Sequence, residues 1–336
     1  VWGGPGRVYA AVKFLLFTLA GSILMLVGMI VLYNEFGTLD FRELAAAGPT
    51  LDRTFQAWLF VAFLAAFAVK VPMFPVHTWL PDAHTEAPTA GSVILAGILL
   101  KMGAYGFLRI SLPILPDAVQ LFRTPMLVIS AVAIVYGAYV TLAQTDLKRV
   151  IAYSSVSHMG FVTLGIFTLT RSGVEGAVLQ MINHGIISAA LFLCVGMIYE
   201  RTHTREIKDY GGVAKLAPAY ATFLALFCLA AAGFPGLNSF VGEFLIIVGA
   251  FETSAWLGGM AIWGVVLGTT YMIWLYYRVV MGEVNPGLEG LKLELNAREI
   301  ATLAPLAFLA VYLGLYPDCV LSILHETVDA LPGVTP

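Results

Sequence analysis

Long apolar runs separated by short polar or Pro/Gly-rich breaks recur along the whole chain, at about 8 to 33, 55 to 80, 89 to 111, 124 to 144, 149 to 170, 174 to 199, 217 to 251, 255 to 281 and 299 to 317. Each is close to or above the roughly 20 residues that an α-helix needs to cross a bilayer, so the pattern predicts nine spans. Numbering the ends alternately puts Arg7, Lys148, Arg149, Arg201, Arg205, Lys208, Lys215, Arg278, Lys292 and Arg298 on one side. Arg42, Arg53, Arg123 and Arg171 fall on the other. The basic excess marks the first side as cytoplasmic and places the tail after Tyr316 outside.

Two spans are predicted to be broken. The second carries Pro72, Pro75 and Pro81, and the seventh is interrupted at Gly233-Phe-Pro-Gly236. Proline removes a backbone donor, and a broken helix is tolerated at membrane depth only where protein or a wet cavity satisfies the freed carbonyls. An ordinary proline kink is the plain alternative for either break. The breaks lie five spans apart, and an odd offset makes equivalent segments antiparallel, as in inverted transporter repeats. This divides the chain into the C-terminal part of a first repeat at 1–111, a second five-span repeat at 112–281, and a cytoplasmic connection, last span and tail at 282–336. The start, Val-Trp-Gly-Gly-Pro-Gly, reads as the end of a loop, so an N-terminally incomplete fragment is expected.

Composition sharpens the class. Of 336 residues, 59% are apolar and 12% charged, with a mean hydropathy of +0.86, which no water-soluble shell allows. A net charge of -3 and no Gly-rich phosphate loop exclude nucleic-acid and soluble-nucleotide roles. Cys194, Cys228 and Cys319 lie far apart, and the six histidines form no HxxxH or HxxH pair, so no metal or redox centre is expected in the chain itself.

Against this background the buried charges stand out. Lys70 lies about 22 Å into its span and Lys101 about 18 Å into the next, at 1.5 Å per residue. Glu243 follows the second break by less than three turns. Each charge costs about 2.5 to 3.5 kcal/mol at the bilayer centre, so these three must face a polar interior. A static ion pair or a snorkelling lysine is the structural reading; proton transfer is the functional one, because burial moves lysine and carboxyl pKa values toward neutrality. His158 and His184, in adjacent spans and flanked by small or hydroxylated residues, can extend a proton wire. His77 and His84 read as a plain polar loop more readily than as a proton antenna. Segment 284 to 298 reads as an interfacial stretch or a subunit contact.

The run from Phe74 to Gly106, with Leu-Pro-Asp-Ala-His-Thr-Glu-Ala-Pro-Thr-Ala-Gly-Ser-Val-Ile-Leu-Ala-Gly inside it, closely resembles the antiporter-like membrane subunits of proton-translocating NADH:quinone oxidoreductase, respiratory complex I, and among them the chain M (NADH dehydrogenase subunit 4) type. The opening Val1-to-Phe14 stretch, Asp146-to-Gly160 and Gly233-Phe-Pro-Gly-Leu with Val-Gly-Glu-Phe are also similar. The serine–histidine and broken-helix patterns are shared with the Mrp cation/proton antiporters; glutamate rather than lysine at position 243 resembles the chain M type.

The resemblance implies an all-α polytopic fold of fourteen helices with inverted five-helix repeats, of which the nine here are the sixth to fourteenth. It implies that Lys70 is the broken-helix lysine, that Lys101 links to the middle of the membrane, that His158 and His184 are the central histidines and that Glu243 ends the second half-channel. The glutamate partner of Lys70 would precede Val1. NADH, flavin, iron–sulfur clusters and quinone are expected in other subunits, with no cofactor bound by this chain. The implied partners are the neighbouring antiporter-like chains and the lipid bilayer, in a bacterial inner membrane. A Mrp-type antiporter or membrane-bound hydrogenase subunit, and a non-transporting membrane scaffold, remain the rival readings.

Overall fold

The computed structural model describes residues 3–335, so the Val1-Trp2 start of the opening motif lies outside the described residues. Among the described residues eight continuous helices are long and apolar enough to cross a membrane: α1 (Arg7–Phe36), α3 (Arg53–Lys70), α5 (Thr89–Ile114), α6 (Pro116–Leu142), α7 (Leu147–Thr168), α8 (Arg171–Thr202), α11 (Ala255–Val280) and α12 (Ala297–Leu315). The short α2 (Phe41–Ala47) precedes α3, and α4 (Trp79–Glu86) follows it. A ninth crossing is made jointly by α9 (Pro218–Ala231) and α10 (Asn238–Thr253), and an amphipathic α13 (Asp318–Asp329) ends the chain. Among the described residues there is no strand, only isolated bridges at Asp146–Glu206 and Thr170–Thr335. The chain is therefore an all-α, multi-pass membrane protein with the two broken helices that its proline and glycine pattern predicts.

Polar contacts sort the helix ends into two faces. On one, Asp82 joins Lys13 at 2.7 Å and Arg149 at 3.3 Å, and Arg205 pairs with Asp146 at 3.1 Å. Lys148 Nζ donates to the Ala87 carbonyl at 2.8 Å, fastening the loop after α4 to the start of α7. On the same face Arg201 donates to both oxygens of Glu299, at 2.9 and 2.7 Å. Asn296 and Glu299 form a capping box that starts α12. Segment 284 to 298 folds back here, with Leu288, Leu293 and Leu295 buried. Nearby Tyr210 donates to the Thr204 carbonyl at 2.7 Å, and burial pushes its phenol up to about 12.

The opposite face gathers Arg123, which donates to the Phe167 and Thr168 carbonyls. Arg171 lies there too, with Glu175 and Asp329. The tail closes onto it, Thr335 N–H donating to Leu169 O and Arg171 N–H to Thr335 O, both at 2.9 Å. α13 thus lies beside the turn between α7 and α8. α7 is the most enclosed helix and α8 packs along it, whereas α1 and α12 leave most of their apolar surface outward. Outward apolar helices ringed around an enclosed polar pair are what a bilayer, rather than water, stabilises.

Candidate functional site

α7 and α8 carry the polar centre, and the breaks bring it partners. In α5 the regular hydrogen-bond ladder widens into a π-turn at Leu95–Leu99, immediately before Lys101. Such turns free a backbone carbonyl and recur at functional sites. Lys101 Nζ takes that opportunity, donating to Ala96 O at 2.5 Å and to His184 Nδ1 at 2.7 Å. With Nδ1 accepting, a neutral His184 carries its proton on Nε2. The His184 and His158 rings have centroids 5.7 Å apart, and among the described residues no hydrogen bond joins them. Between them lies a cavity of about 10 Å³ lined by both histidines with Ser154, Ser188 and Ser239, room for about one water.

From His158 the line continues to an acid. His158 Nδ1 lies 3.1 Å from Glu243 Oε1 and donates to the carboxylate, while the Tyr271 hydroxyl, 3.3 Å from His158 Nε2, donates to that nitrogen when the imidazole is neutral and accepts from it when it is protonated. Gln180 Nε2 donates to the same carboxylate oxygen at 3.0 Å. The other oxygen sits against Gly233, whose φ of 70° turns the chain at the second break. A Cβ there would lie 2.7 Å from Glu243 Oε2. The break is thus what gives the carboxylate space, and glycine serves both the turn and the close approach. Glu243, His184 and His158 are 4%, 4% and 7% exposed, and the cavity touches both histidines but not the carboxylate.

Four of the five residues singled out from the sequence therefore form one row, Lys101, His184, His158 and Glu243. Lys70 is not joined to it. It is the last residue of α3, at the mouth of the first break, where its ammonium lies 5.9 Å from the Phe14 ring. Among the described residues it makes no hydrogen bond or ion pair, and its helix end packs on Gly103, two residues from Lys101. Gln180 and Tyr271 were not singled out; only their place beside buried titratable groups in three dimensions reveals them. His77 and His84 correct the expectation of a polar loop. They are 2% and 0% exposed, and neither ring nitrogen of either finds a protein partner among the described residues. His84 instead stacks on Phe192, centroids 4.5 Å apart. A buried imidazole without partners signals adjoining water or a functional role.

Among the described residues no group of His, Cys, Asp or Glu has the arrangement to hold a metal ion. What the row offers is a series of groups that each bind one proton, with imidazoles that accept on one nitrogen and release from the other.

A family model described as NADH:quinone oxidoreductase/Mrp antiporter, transmembrane, matches residues 2–268. The chain is 51% identical to NADH-quinone oxidoreductase subunit M of Rhodobacter capsulatus, over 98% of this chain and 67% of that one. It is 46% identical to NADH-ubiquinone oxidoreductase chain 4 of Marchantia polymorpha with the same coverage. Among solved structures, respiratory complex I from Thermus thermophilus superposes with a TM-score of 0.91 at 34% identity, covering 98% of this chain and 69% of the matched one. The Mrp complex from Dietzia superposes with a TM-score of 0.86 over 96% of this chain and 68% of that one; at 20% identity it speaks for the fold alone.

Proposed function

Since this chain belongs to the NADH:quinone oxidoreductase/Mrp antiporter family, we propose that it is a proton-translocating, antiporter-like membrane subunit of respiratory complex I. The observation that carries this is the row from Lys101 through His184 and His158 to Glu243, enclosed among helices long and apolar enough to cross a membrane. Permanent ion pairing does not call for two neutral-capable imidazoles in series; proton transfer does.

Lys70 waits at the first break as the input group, held by a carboxylate supplied from elsewhere. Weakening of that pair lowers its hold on the proton, which passes to Lys101 and then to His184 Nδ1. His184 releases from Nε2 through the one-water cavity to His158, and His158 hands on from Nδ1 to Glu243. Energy comes from electron transfer between NADH and quinone in other subunits, which hold the flavin and iron–sulfur clusters; this chain binds none of these. On this reading residues 1–111 complete a first inverted repeat, 112–281 form a second, and 282–336 add the connection, last span and tail. The face bearing Arg149, Arg201 and Arg205 is cytoplasmic, the α13 face is outside, and the membrane is a bacterial inner membrane. Neighbouring antiporter-like chains are the partners along the membrane arm.

Replacement of Lys101 by Ala and of Glu243 by Gln in the assembled complex tests this in vesicles. Each variant is expected to stop proton uptake coupled to NADH oxidation while NADH dehydrogenase activity in detergent stays largely intact. Normal coupled uptake in both variants refutes the proposal. A scaffold role predicts that Lys101→Met too leaves ion movement unchanged.

A further inference from the structure

A groove runs along the outer surface between α5 and α8 and ends beneath α13. Its inner part, of about 550 Å³, is lined by Ile94, Gly97, Lys101, Val178 and Met181 among others. Tyr105, Val178 and Met181 continue into a second part of about 210 Å³, which adds Leu108 and Leu324. Arg109, Pro113, Thr327 and Leu331 lead from there into a third part, of about 420 Å³, at the helix end. From Gly97 to Arg109 the groove spans about 18 Å at 1.5 Å per residue, roughly the ~15 Å depth of one leaflet.

The two ends differ in chemistry. The inner stretch is almost wholly apolar, while the outer end holds Arg109, placed by a second π-turn at Phe107–Ser111 and exposed at the surface. Its guanidinium stacks 3.9 Å from the centre of the Phe41 ring, which fixes its direction. Glu326 lines the same outer pocket. Yet among the described residues Arg109 makes no hydrogen bond and no ion pair, so its donors are free for an anion.

We propose that this groove is a binding site for an anionic phospholipid, with the phosphodiester on Arg109 and an acyl chain lying inward toward Gly97. An apolar slot of one leaflet's length that ends at an unpaired guanidinium is complementary in charge and shape to an acyl chain that ends in a phosphodiester. Gly97 and Gly185 bring the backbones of α5 and α8 together at the inner end, keeping the floor flat enough for a chain. The site stands independently of the proton reading; if that reading holds, the chain end also covers the half-buried Lys101 laterally.

The test uses the assembled complex in vesicles doped with a photoactivatable phosphatidylglycerol or its phosphatidylcholine counterpart, with adducts mapped by mass spectrometry. Phosphatidylglycerol is expected to label α5 and α13. Arg109→Gln is expected to reduce this about fivefold, the loss for one basic residue at a charged lipid surface, while Arg109→Lys largely retains it. Val178→Trp, which keeps the arginine and fills the chain slot, is expected to remove labelling. Unchanged phosphatidylglycerol labelling in Arg109→Gln or Val178→Trp overturns the proposal, as does equal labelling by phosphatidylcholine. Protection of the groove by a neighbouring subunit in the wild-type complex also overturns it.

Discussion

Glu243 is held by two neutral or conditionally charged donors, His158 and Gln180, and by no permanent cation among the described residues. A carboxylate so placed can lose its charge without stranding an arginine, whereas a buried Arg–Glu pair such as Arg201–Glu299 is locked in its ionised form. The neutral neighbours should therefore tune the acid. Gln180→Leu removes a donor from Glu243 Oε1, a loss of about 1 to 3 kcal/mol for a buried oxygen left short of a partner, and is expected to slow coupled pumping, which vesicles of reconstituted complex measure; an unchanged rate shows that Gln180 only packs. Tyr271 acts on the tautomer, so Tyr271→Phe is expected to slow pumping with about 1 kcal/mol or less of stability lost. The principal titratable residues were legible in the sequence because a charge in an apolar run has few explanations. Gln180 and Tyr271 were not, since a lone Gln or Tyr in a span carries no such cost, and His84 was misread because its neighbours Asp82 and Glu86 are polar in sequence while its own ring turns to Phe192.

At the scale of elements, helix irregularity places the chemistry. The π-turn before Lys101 exposes the Ala96 carbonyl, and the Gly233 turn opens space for Glu243. Gly233→Val confronts both the positive φ and the carboxylate, so it is expected to displace Glu243 and abolish pumping while leaving the complex assembled, as blue-native gels and vesicle assays report together. Retained pumping in that variant shows that the break is only a kink. The proline and glycine pattern revealed both breaks, because those residues act on their own backbone. Neither π-turn was read from the sequence: Leu95–Leu99 contains nothing that forbids an α-helix, and the proline that removes the N–H partner of the Arg109 carbonyl, Pro113, lies just beyond Phe107–Ser111. α13 was likewise read only as a tail, since its 12 residues are too few to span a bilayer and its amphipathic face has meaning only against α8.

For the molecule as a whole, the segregation of polar contacts into two faces makes orientation measurable. Single cysteines at Lys208 and at Ser322, both outside the core, are expected to react with an impermeant maleimide from opposite sides of sealed vesicles. Labelling of both from one side removes the orientation. The positive-inside rule assigns a side to each face from sequence, and the ion pairs separate Arg149, Arg201 and Arg205 from Arg123 and Arg171 without saying which face is cytoplasmic, so the labelling is what tests the assignment.

The gap between the two central histidines has a final consequence. Every other step along the row is a hydrogen bond already made, but this one needs a bridging molecule in a chamber of about 10 Å³. A conductor interrupted at one point by so small a chamber behaves as an insulator at rest. On the proposed proton path such a subunit holds the stored gradient when electron flow stops instead of short-circuiting it, and a substitution that enlarges the chamber, such as Ser188→Gly, is expected to turn the pump into a leak, read as passive proton entry into vesicles.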